Sequence, residues 1–441
     1  MALKKSSILD ILLVCIYETL LSIIFVRFIL PLHGYEVQIA QTTGGSVNYV
    51  KVALSYVVTC VAVFLFRSIG VAKRASRFVM LIQLLMIVVP FCVLYGYLNY
   101  PTWQLALVFL GYGGAVLSIN VIPSIRLPLL SIEVRRFFIF LAVAIIFYVY
   151  VGLVATGGIQ RINFDFSQVY KVRAGLSKHE FPLSGYFIPW VAYVLNMAIL
   201  TYSLSIRGRS LIKSMCGVFL VILMQVMLFG MTNFKAFIFL PFVIVFLVLF
   251  MGKINLFRSA VMGVSVALCC LILLSLVGVV FSIAIVDRVF VTPSAIHSLY
   301  FNYFSTHPLG LLQGTVGKLF GSSYNESIII VISKFYWGRV FSPNVGWIAD
   351  AFSNFGVIGV PVYSLILALS LRVVDGFVDE RMPSGVVEGL LFGFAFSITN
   401  TSLLTSLLTG GYVVAVVALW VMTSRWRRVS SVVSKKARVN F

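Results

Sequence analysis

The chain has 441 residues, 61% of them hydrophobic and only 10% charged, with a formal net charge of +20. A soluble domain carries about 25% charged residues, so this much apolar surface needs lipid as its solvent. The apolar runs reach helix-spanning length and do not alternate as barrel strands would, which excludes a β-barrel as well as a soluble fold. Runs long enough to span fall at 8–31, 50–66, 78–98, 104–123, 137–155, 187–206, 214–232, 236–252, 259–285, 347–371, 385–404 and 408–424. They predict an all-α polytopic membrane protein of about twelve transmembrane helices, a single integral membrane domain over residues 1–441. The first run follows Lys4 and Lys5, carries Asp10 and Glu18, and lacks a small-x-small site before Pro31. It reads as a retained helix and not as a cleaved signal.

The connections sort by charge. Lys4 and Lys5, Arg67 to Arg77, Arg126 to Arg136, Arg207 to Lys213, Lys253 and Arg258, Arg372 and Arg381, and the tail from Arg425 to Arg438 alternate onto one side. Together they hold two thirds of the 33 lysines and arginines. Short basic connections stay in the cytoplasm, so this side, with both termini, is expected to be cytoplasmic. The basic balance is thereby topogenic, and nucleic acid is not an expected partner. Two long connections, 156–186 and 286–346, fall on the opposite face, as do His33, His179, His297 and His307. Within the second, the aromatic stretch 297–304 reads as an amphipathic helix resting on the membrane surface. All six cysteines lie inside apolar runs without a Cys-x-x-Cys pair, and read as packing residues.

Positive charge on a translocated loop runs against the positive-inside bias, so each such residue asks for a reason. Arg161, Lys171, Arg173, Lys178, Arg288, Lys318, Lys334 and Arg339 form that set. An arginine fork pairs with phosphate through two hydrogen bonds and keeps its charge when partly buried. Arginines from the two loops would therefore suit a pyrophosphate-linked lipid, while interfacial snorkelling is the plainer alternative. Asp287 adjoins Arg288, and Asp350 sits a turn inside a spanning run, where an acid is functional by default. Glu18 and Glu388 share that position, with helix-packing roles as the alternative. His179, His297 and His307 could serve as general bases, an ordinary loop histidine being the plainer alternative, and Asp287 and Asp350 are the acidic candidates. The His and acid spacings match no metal motif, and neither a phosphate-binding GxxxxGK[ST] loop nor GxGxxG occurs, so no metal or nucleotide cofactor is expected.

Five stretches carry a likeness to a family: "QVYKVRAG" (168–175) with "SGYFIPW" (184–190), "VDRVFVTP" (286–293) with "YFNYFSTHPLG" (300–310), and "NVGWIADAFSNFGVIGVP" (344–361). With the two large outer loops, they make the chain resemble the O-antigen polymerase (Wzy) family. The resemblance implies a metal-independent membrane glycosyltransferase of GT-C-like architecture in the bacterial inner membrane, with both large loops periplasmic. It implies donor and acceptor glycans on undecaprenyl pyrophosphate, contact with membrane lipid, and a chain-length regulator protein as partner. Arg173 matches the first-loop arginine and Arg288 the one opening the second loop. The catalytic set is then Arg173, Arg288, Asp287, His307 and Asp350, and the substrate-binding set Arg161, Tyr170, Lys171, Tyr300, Arg339 and Asn344. The family's Arg and Gly ten residues apart are not matched: eleven residues separate Arg173 from Gly185, and Leu299 stands where a glycine would follow Arg288. O-antigen ligases are the near alternative, but resemble the chain around 344 with a His before the Asn, where this chain has Pro343. A flippase or exporter of lipid-linked sugars is the alternative from another class, and such transporters more often show two similar halves.

Overall fold

The computed structural model describes residues 2–31, 46–72, 74–163, 181–208, 210–250, 255–276, 285–307, 326–378, 382–383 and 385–424. All regular structure among the described residues is helical. Among the described residues, ten helices are long and apolar enough to cross a membrane, so the chain is a multi-pass membrane protein. They are α1 (Ile8–Ile29), α2 (Tyr49–Ser68), α3 (Arg74–Tyr97), α4 (Thr102–Val121), α5 (Ile132–Ala155), α6 (Ser184–Ser205), α7 (Leu211–Thr232), α9 (Leu256–Leu276), α12 (Trp347–Phe377) and α14 (Leu403–Ser424). Four shorter ones complete the set: α8 (Lys235–Phe250), α10 (Thr292–Thr306), α11 (Ile328–Trp337) and α13 (Val386–Ser397).

Two of the twelve expected spans therefore become shorter helices. The run 385–404 hides "SITNTS" (397–402), whose short polar side chains compete with helical backbone bonding. There α13 ends, the chain turns, and α14 begins at Leu403. Asn233 adopts a left-handed conformation (φ 55°) that caps α7, and the run 236–252 is helical as far as Phe250, its remaining residues lying outside the described ones. The following helix, α8, opens only at Lys235.

The chain forms two compact units. Unit 1 comprises Met1–Pro123, Asn255–Arg372 and Ala395–Leu404, and unit 2 comprises Ser124–Ile254, Val373–Phe394 and Thr405–Phe441. In unit 1, α3 is the central element and nearly every residue from Ala75 to Gly96 is buried. Its neighbours α1, α2 and α4 expose one stripe each, including Leu12, Val57, Phe64 and Leu117, as lipid-facing helices do. In unit 2, Val149, Leu153, Ile188, Val191, Leu228, Met231 and Phe237 form the core. A polar clasp ties α6 to α7, in which the Asn196 amide donates to Gln225 Oε1 (3.0 Å) and the Gln225 amide to Ala192 O (3.0 Å).

Among the described residues, four π-helical turns occur, at Phe25–Ile29, Leu84–Val88, Val191–Leu195 and Asp287–Val291. Each lies two residues from a proline: Pro31, Pro90, Pro189 and Pro293 respectively. In three of them the proline follows, and the residue four positions before it (Arg27, Met86, Val289) is the middle of the π turn. A proline ring clashes with that carbonyl and supplies no N–H to it. Widening the turn by one residue relieves the clash without breaking the helix.

The stretch 297–304 does not lie on the surface as expected. His297, Ser298, Leu299, Tyr300, Phe301, Tyr303 and Phe304 are all buried inside unit 1. Its polar side chains find partners there: Ser298 donates to Gln104 Oε1 (2.7 Å), and the Gln104 amide donates to Asn302 Oδ1 (2.6 Å). Ser298 and the Asn302 carbonyl oxygen are thereby satisfied, which favours burial of α10, while Asn302 Nδ2 and His297 Nε2 are without a partner among the described residues.

Candidate functional site

The densest group of buried polar side chains gathers where α10 meets the start of α12, within unit 1. Gly346 makes the approach possible. A Cβ there would clash with Thr399 O and lie 2.8 Å from His297 Cε1. Trp347 N donates to Ile398 O (3.1 Å), and the Trp347 indole donates to Gln83 Oε1 (3.1 Å), whose amide holds Ala395 O (2.9 Å). The turn after α13 is thus stitched onto the N-terminus of α12.

Asp350 lies in the first turn of α12 and is buried. A carboxylate is favoured there by the unsatisfied N–H groups of the helix end. The Asn354 amide, one turn on, donates to Asp350 Oδ1 (3.1 Å) and to Asp350 O (2.8 Å). Asn354 also meets the Tyr363 hydroxyl at 3.4 Å. Tyr363 is nine residues away and reaches back because α12 breaks at Gly356 (φ 62°, ψ −150°), a conformation open to glycine. The Ser402 hydroxyl approaches the same carboxyl. Asp350 Oδ2 is buried with no hydrogen-bond partner among the described residues. A buried polar atom left open is costly in hydrocarbon surroundings and calls for a functional reason.

Two groups on α10 complete the set. His297 is fully buried, its Nδ1 is 2.6 Å from Pro293 O, and its Nε2 has no partner among the described residues. A carbonyl accepts only, so Nδ1 carries the proton and Nε2 is the bare acceptor. Burial pushes the imidazole down to about 4, only partly offset by the Pro293 carbonyl, so it is neutral near pH 7. Tyr300 donates to Pro343 O (3.3 Å), fixing the chain beside Asn344. Burial, and then the Asp350 carboxyl, push the Tyr300 hydroxyl upward, so it remains a donor.

The expected site residues divide as follows. Tyr300 and Asp350 are close enough for charge to couple them. Asp287 is buried, accepting from the Thr292 hydroxyl (3.2 Å), while Arg288 beside it is exposed. His307 is exposed, stacked on Tyr303 at 4.5 Å, with Phe335 of α11 at 6.3 Å. Arg339 is exposed and lies over the Phe341 ring (5.4 Å), and Asn344 is exposed. In unit 2, Arg161 is half-buried, with its Nη2 3.5 Å from Thr156 Oγ1. Arg173, Tyr170, Lys171 and His179 lie outside the described residues. The sequence offered His297 as a possible general base on the outer face but left it out of the catalytic set, and gave no role to Gly346, Asn354, Tyr363 or Ser402. Only Asn354 left a usable signal, its i, i+4 spacing from Asp350.

The chain matches no protein-family model, no curated protein and no solved structure.

Proposed function

We infer that the chain polymerises lipid-linked oligosaccharide repeat units into a surface polysaccharide of the O-antigen type. The observation that supports this most directly is the buried Asp350 carboxyl, with one oxygen held by Asn354 and the other open. A sugar hydroxyl is a poor nucleophile until a base takes its proton, and a carboxylate fixed at a helix N-terminus is suited to that task. In the proposed step the acceptor hydroxyl oxygen attacks the anomeric carbon of the donor's reducing-end sugar. The bond from that carbon to pyrophosphate breaks, its electron pair leaves on undecaprenyl pyrophosphate, and the hydroxyl proton passes to Asp350. Charge grows on the leaving pyrophosphate, which cationic groups such as Arg288 and Arg173 would stabilise. Tyr300, bonded to Pro343 O, positions the segment that enters α12. The resemblance at residues 344–361 and the open Asp350 oxygen within that segment favour the same assignment.

Gel analysis of surface glycan from a deletion strain tests the reading. Loss of a polymerase leaves single repeat units attached to the lipid core, and complementation restores the ladder. No attached units would indicate a ligase, and units trapped in the cytoplasmic leaflet a flippase. Either result would overturn the proposal.

A further inference from the structure

Glu18, halfway along α1, is a second buried acid of unit 1, and the proposed reaction makes no use of it. Its side chain is fully shielded from solvent. The Ser55 hydroxyl of α2 donates to Glu18 Oε1 (2.8 Å). Thr59, one turn further along α2, brings its hydroxyl to the same carboxyl. Glu18 Oε2 and Thr59 Oγ1 are nevertheless both buried without a hydrogen bond of good geometry among the described residues. The Cys92 thiol of α3 lies against Thr59 and closes the third side. The nearby phenols are engaged elsewhere: Tyr17 donates to Leu85 O (2.5 Å), and the Tyr56 and Thr19 hydroxyls lie 2.9 Å apart.

A buried carboxylate needs its charge compensated. Among the described residues, the groups that act on the Glu18 carboxyl are the Thr59 and Ser55 hydroxyls, and neither carries charge. Buried charges are paired or coordinate a metal, and an acid inside a spanning helix marks a functional site by default. The donor set indicates the kind of ion. Carboxylate and hydroxyl oxygens are hard ligands, suited to hard cations and not to soft transition metals. The described residues hold no group of three His, Cys, Asp or Glu side chains placed for a metal ion. One carboxylate balances one positive charge, and a divalent ion would leave its second charge uncompensated in apolar surroundings. We propose that Glu18 and Thr59 bind a small monovalent cation of the sodium class between α1, α2 and α3, with Glu18 Oε2 and Thr59 Oγ1 as ligands. Ser55 positions the carboxyl by holding Oε1. The ion ties α1 to α2 and takes no part in the chemistry at Asp350.

The test uses purified full-length protein in dodecyl maltoside, with thermal unfolding as the readout and choline chloride holding the ionic strength constant. Sodium chloride should raise the unfolding midpoint with a saturating dependence, and choline chloride should not, because binding to the folded state stabilises by mass action. Glu18→Gln keeps the Ser55 contact but removes the charge, and should abolish the sodium response. Thr59→Val keeps the shape but removes an oxygen, and should shift the response to about tenfold higher sodium. Equal midpoints in the two salts would overturn the proposal, as would a sodium response that survives Glu18→Gln unchanged. Calcium that raises the midpoint at lower concentration than sodium would overturn the monovalent assignment. Should a variant fail to fold, wild-type protein treated with dicyclohexylcarbodiimide, an apolar reagent for carboxyl groups, decides the matter by mass spectrometry. Sodium should slow modification of Glu18 relative to choline. Equal modification in the two salts would leave a proton and not a cation on Glu18, and would overturn the site.

Discussion

At the scale of single residues, the open oxygen of Asp350 sets the sharpest expectation. Asp350→Asn keeps the shape and the Asn354 contact region but removes the base. Chain extension should fall by at least about a hundredfold while the protein still inserts, as general-base loss does. Wild-type ladders from Asp350→Asn at normal protein levels would remove Asp350 from the mechanism. Arg288→Ala should abolish extension as well, with Arg288→Lys a partial rescue because it lacks the planar fork. His297 makes a separate prediction about stability. Its folded-state value of about 4 lies below the ordinary 6.5, so the unfolded chain binds the proton more readily. The contribution is therefore complete above about pH 6.5 and is lost as pH falls toward 4, amounting to about 3 kcal/mol. Unfolding midpoints measured across that range should fall steeply for wild type and less for His297→Gln. Parallel curves would show that His297 does not titrate as its burial requires.

Elements explain why the site has this shape, and two glycines separate the cases. At Gly346 an added methyl would meet the Thr399 carbonyl, a backbone atom that cannot swing aside. Gly346→Ala should destabilise the protein by about 1–3 kcal/mol, the usual cost of overpacking, and lower its unfolding midpoint in detergent. At Gly185, in the first turn of α6, an added methyl would have no neighbour within 4 Å among the described residues. There Gly185→Ala should be neutral or slightly stabilising, since alanine is the better helix former. A tolerated Gly346→Ala would mean that α10 and the turn after α13 can separate. The helices themselves were legible: ten of the expected runs correspond to spanning helices because lipid demands uninterrupted apolar length. The buried course of α10 was not. Its serines, histidine and asparagine resemble a wet face until Gln104 and Pro293 O are brought against them from distant or local backbone.

The whole molecule carries the topology. With two thirds of its 33 basic residues on alternate connections, reporter fusions after Arg209 should be inactive in the periplasm, and fusions within 156–186 active there. The reverse pattern would invert the orientation and place Asp350 on the wrong side for lipid-linked glycan. Polymerisation by purified protein should persist in excess EDTA, because the leaving pyrophosphate is to be met by guanidinium charge. Complete loss in EDTA, restored by one divalent ion, would end the arginine-only mechanism.

Solvent preference is additive along the chain, so composition and run length by themselves determined that this protein is helical and crosses a membrane many times. Charge placement likewise follows from local sequence. Pairing across the bundle is not additive. Whether Asp350 keeps one oxygen open depends on Asn354, Tyr363 and Ser402, which arrive through a break at Gly356 and a turn some fifty residues later. The same holds for Asp10, whose partners Arg67 and Arg258 are contributed by helices far apart in sequence. In a low-dielectric interior such partners decide whether a charge is costly or useful, and only the tertiary structure supplies them.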